Sequence, residues 1–112
     1  HHVGDQVLVQ VADRLRAALR VGDDLARIGG DEFTVLMRNV PDDDAAQHLA
    51  DRMLAATTEP FVVDGRELRI GLSIGIALVT PDLSADTLLA LADAALYQAK
   101  RDGGGRAHVA HR

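Results

Sequence analysis

Arg27-Ile28-Gly29-Gly30-Asp31-Glu32-Phe33-Thr34-Val35-Leu36-Met37 is the stretch on which the fold turns. Residues 33–37 are a β-rich apolar run, and residues 25–28 are short and strand-like. Two strands about a Gly-Gly pair read as a β-hairpin. Glycines at a hairpin tip let a ligand's phosphates approach the backbone with no Cβ in the way. Two adjacent carboxylates beside them are suited to holding a hard divalent cation through oxygen. A magnesium ion there would neutralise phosphate charge and favour attack at phosphorus. Composition alone favours a plainer reading, a surface turn with solvated acids, because these are common turn residues.

Upstream of the hairpin, Val7, Leu8, Val11, Leu15, Ala18 and Leu19 recur at helical spacing over residues 4–20, and Val21-Gly22-Asp23-Asp24 ends that helix in a turn. Downstream, Pro41 and Asp42-Asp43-Asp44 make a loop and an acidic helix start. The buried stripe of that helix is Ala46, Leu49, Ala50, Met53 and Leu54. Residues 61–63 and 67–79 read as strands joined by the turn Asp64-Gly65. The nearly all-apolar run over residues 70–77 predicts a central strand covered on both faces. Ser84 caps a helix with its face at Leu88, Leu91, Ala92, Ala95, Leu96 and Ala99, and Gly103-Gly104-Gly105 stops it. Tyr97 reads as core or half-buried packing at the edge of that face. Residues 106–111 form a last short strand. The expected fold class is α+β, an antiparallel-rich central sheet flanked by helices.

Bulk properties narrow the function. The 112 residues are one domain's worth of chain, and 47% are hydrophobic, enough for a single core. Aromatics are only 3%, so Leu, Val, Ile and Ala must fill that core. With no cysteine, a disulfide framework or thiolate metal site is excluded. The net charge of −5 excludes a broad basic surface, so no nucleic acid partner is expected. Apolar runs fall short of a membrane span. The chain reads as cytoplasmic, with any membrane anchor belonging to a longer parent. The histidines are scattered without metal-ligand spacing and read as surface residues.

Gly29-Gly30-Asp31-Glu32-Phe33 is also, letter for letter, the signature that names the GGDEF family. His1-His2-Val3-Gly4-Asp5 resembles the tail of the family's Gly-His-x-x-Gly-Asp motif. Ser73-Ile74-Gly75-Ile76-Ala77 resembles its Ser-Ile-Gly strand. Ala92-Asp93-Ala94-Ala95-Leu96-Tyr97-Gln98-Ala99-Lys100 resembles its Ala-Asp-x-Ala-Leu/Met-Tyr-x-Ala-Lys helix. The blocks occur in family order and span nearly the whole chain. The resemblance implies a diguanylate cyclase domain, which joins two GTP molecules into cyclic di-GMP with Mg2+ or Mn2+.

It also implies a site. Gly29 and Gly30 would pass close to the GTP phosphates. Asp31 would bind metal and serve as base for the attacking 3′-hydroxyl, with Glu32 as the second acid near the metals. Asp5 would accept hydrogen bonds from the guanine edge, and Lys100 would contact phosphate. The plainer roles of Asp5 and Lys100 are a helix N-terminal acid and a C-terminal cation, and one residue can serve both purposes. Arg20 and Asp23 fit an Arg-x-x-Asp pattern at the offset of a product-inhibition site, with Arg52 on the following helix as a second arginine. Otherwise they are a helix end and a turn.

Two departures qualify the likeness. The family's domain begins upstream of this chain, with a strand that carries a metal-binding Asp and an Asn that contacts guanine, so a partial domain lacking the first strand and first helix is expected. Gly104 stands where the family often has a phosphate-contacting Arg, a role Arg106 is placed to take. The implied partners are GTP, cyclic di-GMP, a second copy in an active homodimer, and an attached phosphodiesterase or sensor domain. The stretch Thr58-Glu59-Pro60-Phe61 with Asp64-Gly65 resembles domains found in tandem with phosphodiesterases. The rival readings are a binding module for GTP or cyclic di-GMP without catalysis, and a fragment with no function of its own.

Overall fold

The computed structural model describes residues 2–27 and 31–110, without the side chains of residues 2–4 and 27. α1 (His2–Ala18) buries Val7, Val11, Leu15 and Ala18, the three-and-four spacing of one helix face. It stops at the turn where Gly22 takes φ 94°. β1 (Asp24–Arg27) and β2 (Glu32–Met37) then pair antiparallel, with Leu25 opposite Val35. α2 (Asp43–Thr58) is capped by Asp42, whose Oδ1 accepts from the Ala45 N–H at 2.8 Å. β3 (Phe61–Val63) and β4 (Arg66–Leu68) form a separate hairpin. Its turn residues Asp64 and Gly65 have φ of 52° and 76°, the left-handed pair that a two-residue turn requires. β5 (Ser73–Leu78) leads to α3 (Ala85–Arg101), capped by the Ser84 hydroxyl, which accepts from the Thr87 N–H at 3.2 Å. Residues 103–105 are all glycine at positive φ, and β6 (Arg106–Val109) follows.

The main sheet has the order β1-β2-β5-β6. It is mixed rather than antiparallel-rich, since β2 pairs parallel with β5 and β5 parallel with β6. The cause is the connections. α2 and the β3–β4 hairpin lie between β2 and β5, and α3 lies between β5 and β6. A helix in the connection returns the chain to the end of the sheet from which it left, which makes the strands parallel.

The sheet is covered on both faces. Phe33, Val35, Met37, Ile74 and Ile76 project toward α1 and α2, meeting Val11, Leu15, Leu49 and Met53 in one core. Full burial of each such large side chain contributes about 1.5–3 kcal/mol. α3 covers the other face with Leu88, Ala92, Ala95, Leu96 and Ala99. Gly75 makes that contact close. A Cβ there would collide with the Ala92 carbonyl oxygen and the Leu96 backbone nitrogen.

Several expectations change. The predicted strand over residues 67–79 is two strands, because residues 69–72 cross from one sheet to the other. Leu54 and Leu91 are only half-buried, while Thr57 is buried on α2. Tyr97 is 61% exposed rather than packed, since it lies off the Leu88–Ala92–Ala95–Ala99 line of α3. Its ring faces the Arg101 guanidinium 5.8 Å away. His108 is half-buried, and its Nε2 lies 2.9 Å from Asp102 Oδ2. Among the described residues, no helix is long and apolar enough to cross a membrane.

Candidate active site

β2, β5 and β6 begin side by side. Glu32 pairs with Ser73, and Ser73 pairs with Arg106, so three adjacent strands start at one row. Backbone hydrogen bonds fasten that row. The Ser73 N–H donates to the Asp31 carbonyl at 2.9 Å, and the Arg106 N–H donates to the Leu72 carbonyl at 2.9 Å. Paired residues of parallel strands share a face, and here it is the face that α3 covers.

Lys100, in the last turn of α3, reaches the row from above. Its Nζ lies 2.7 Å from Glu32 Oε1, with the Glu32 side chain 24% exposed and that of Lys100 52%. The hydrogen bond to Glu32 and its negative charge hold the Lys100 ammonium above the ordinary lysine value, with a smaller push from Asp31. The structure therefore brings Asp31, Glu32 and Lys100 together, with exposed Arg106 at the head of β6, beyond β5. Gly104 passes close to buried Ser73, where a Cβ would stand 3.5 Å from the hydroxyl. Gly29 and Gly30 lie outside the described residues.

Asp5 belongs to α1. Exposed in the first turn of α1, it lines a cleft of about 400 Å³ between α1 and the β3–β4 hairpin, with Gln6, Val9, Gln10, Val62 and Asp64. Two side chains of α1 tie that hairpin down. Gln10 Nε2 donates to the Val62 carbonyl at 2.8 Å. The Arg14 guanidinium donates to the Glu59 and Pro60 carbonyls at 2.6 Å each and lies 3.9 Å over the Phe61 ring. Sequence reasoning missed Arg14, because its partners lie on a separate segment and are mostly backbone.

Arg20 and Asp23 meet, but in a structural setting. One Asp23 oxygen accepts from the Arg20 backbone N–H at 3.1 Å and from its Nε at 3.4 Å. The other accepts from the Arg38 backbone N–H at 3.0 Å. The Asp23 side chain is 1% exposed. Arg20 also donates to the Arg38 carbonyl. Arg38 itself donates to the Gly22 carbonyl at 2.7 Å and pairs with Asp24 at 2.8 Å. Arg52 is exposed on α2 and lines a different cleft, with Arg14 and Ala18.

The acidic hairpin strand, the Ser-Ile-Gly strand and the lysine-ending helix thus converge at one end of the sheet. A family model described as "Diguanylate cyclase, GGDEF domain" matches residues 1–106. The chain belongs to the GGDEF domain family. The bifunctional diguanylate cyclase/cyclic di-GMP phosphodiesterase MucR of Pseudomonas aeruginosa is 43% identical over 104 residues, 92% of this chain and 15% of MucR. The diguanylate cyclase TpbB of the same species is 42% identical over 114 residues, 98% of this chain and 26% of TpbB. The chain therefore spans well under a third of these relatives' length. The crystal structure of the TpbB GGDEF domain superposes with a TM-score of 0.83 at 39% identity, covering 100% of this chain and 71% of that one. The active GGEEF domain of a Vibrio cholerae diguanylate cyclase gives 0.66 at 25% identity, covering 100% and 71%.

In this GGDEF domain the carboxylates beside Lys100 are Asp31 and Glu32, the two that would be available to a metal. Among the described residues, no group of three or more His, Asp or Glu gathers at one point. Two carboxylates still fit magnesium, which is commonly held by one or two carboxylates while substrate phosphates and water complete its shell.

Proposed function

We propose that the protein carrying this chain is a diguanylate cyclase, and that this domain forms one half-site of its active centre. The observation that supports the reading best is the meeting of Lys100 with Glu32, beside Asp31, at the common start of three strands. On this reading the two acids are metal ligands and Lys100 is the phosphate-binding cation of the same nucleotide.

The reaction is GTP plus GTP giving cyclic di-GMP and two pyrophosphates. Each 3′-hydroxyl attacks the other nucleotide's α-phosphorus, forming a P–O bond as the bond to pyrophosphate breaks. Asp31 accepts the proton from the attacking hydroxyl. Asp31 and Glu32 would hold Mg2+ or Mn2+, which supplies charge neutralisation at the phosphates. Lys100 and Arg106 bind phosphate oxygens, and the family likeness would give Gly29 and Gly30 a share in that binding. Asp5 accepts from guanine N–H groups, which discriminates against adenine. One nucleotide binds per subunit, so two half-sites must face each other across a homodimer. Arg20 would be the cation of a second site for product, held in place by Asp23, with Arg52 contributing from the separate cleft it lines.

A binding module without turnover is the second reading. It draws support from the cyclic di-GMP phosphodiesterase NbdA of P. aeruginosa, 39% identical over 104 residues. Incubating the whole protein with GTP and magnesium, then separating the nucleotides chromatographically, distinguishes the two. Cyclic di-GMP that disappears in Asp31→Ala is the expected result. Nucleotide binding with no cyclic di-GMP formed supports the binding module instead.

A further inference from the structure

We propose that Lys100 is a stand-in cation, occupying Glu32 while no nucleotide is bound, so that a divalent metal binds well only together with its nucleotide. The inference rests on the reading of Asp31 and Glu32 as metal ligands and goes beyond it.

Lys100 Nζ is 2.7 Å from Glu32 Oε1, with Asp31 as a second acid in its field. A metal ion arriving alone meets one of its two carboxylates already neutralised, and an ammonium that repels it. Phosphates change that balance, because they offer Lys100 another anionic partner. Once the ammonium moves to phosphate, Glu32 turns to the metal. The lysine is able to make this exchange. It sits half-exposed on the last turn of α3, its stem is flexible, and ion pairs of such exposure are held weakly. Arg101 is the natural control. It belongs to the same helical turn but faces the Tyr97 ring instead of Glu32.

Mn2+ binding to the whole nucleotide-free protein, followed by electron paramagnetic resonance of the free ion, tests the inference. Lys100→Met should bind Mn2+ about tenfold tighter than wild type, since a unit charge next to the ion has been removed. Lys100→Arg and Arg101→Met should stay near wild type. A nonhydrolysable GTP analogue should raise the wild-type affinity for Mn2+, and Lys100→Met should lose most of that gain. Thermal melts should be alike for all variants, which separates the effect from misfolding. Equal Mn2+ affinity of nucleotide-free wild type and Lys100→Met overturns this inference alone. No Mn2+ uptake by any variant, with or without the analogue, overturns the metal reading of Asp31 and Glu32 and this inference with it.

Discussion

The start of the parallel strands and the turn after α1 use the same chemistry to different ends. Each joins a carboxylate to a cationic side chain. At the strand starts, Glu32 holds Lys100 through one oxygen, and both side chains keep contact with solvent. In the turn, both oxygens of Asp23 are taken by backbone N–H groups and the carboxylate is sealed from water. Asp23 stitches the end of α1 to the end of β2. An ion pair marks a ligand site only where its groups retain unused valence and access. The first pair meets that condition, and in the second only Arg20 does, with a side chain 37% exposed.

The sharpest way to break the comparison is to remove the acids of the first region. Asp31→Ala should lower cyclic di-GMP formation by about 10²–10⁴-fold, the usual contribution of a general base. Glu32→Ala should abolish measurable turnover. Both should unfold in urea near the wild-type midpoint, because Asp31 is exposed and the partly exposed Glu32–Lys100 pair contributes little. Wild-type turnover in either variant would remove the assigned role.

Asp23→Ala should do the reverse. It removes the acceptor of the part-buried Arg20 N–H, at about 1–3 kcal/mol, and that of the more exposed Arg38 N–H at less. Urea unfolding should show that loss, while turnover per folded molecule at low product stays close to wild type. A variant as stable as wild type would mean that the turn is not a structural stitch.

Arg20→Ala sharpens the same point on the binding side. It should weaken cyclic di-GMP binding by about tenfold in titration calorimetry, the scale of one charge-assisted hydrogen bond. Equal affinities would leave Arg20 as a helix end alone.

The smallest effect concerns pH. Glu32 raises the Lys100 pKa, so the pair's stabilisation is fully present below the ordinary lysine value. It is lost as pH climbs through the raised value. Resonances of the Lys100 side chain should titrate above those of exposed lysine, and Glu32→Gln should bring the midpoint down. An unchanged midpoint in that variant would dissolve the pair as an electrostatic unit.

Much of this was legible in the sequence because it is local. Ser84 and Asp42 announce their helices, Asp64-Gly65 announces its hairpin, and the stripe Leu88–Ala92–Ala95–Leu96–Ala99 is buried as its spacing requires. What stayed hidden is non-local. Nothing in the period of β2 or β5 tells which strands will be parallel neighbours, since both are largely buried on both faces. Glu32 and Lys100 are 68 positions apart, so only the fold, or the family likeness, puts them at one site. Asp23 reads as a solvated turn acid until the Arg38 N–H is seen to close over it. Tyr97 is exposed for a different reason. A large ring near an apolar stripe suggests packing, yet Tyr97 lies off the line along which Gly75 lets α3 press close against the sheet.

That close approach also works as a gauge. The helix touches the sheet at Ala92 and Leu96, and Lys100 lies one turn further on, about 6 Å along a rigid axis. The height of the ammonium above Glu32 is therefore set at a glycine that touches neither residue. A single added methyl at Gly75 would meet the Ala92 carbonyl oxygen and the Leu96 nitrogen, so the rod would have to lift and carry the root of Lys100 away from Glu32. Chemistry at this end of the molecule is calibrated by the absence of a side chain at the middle of a buried strand.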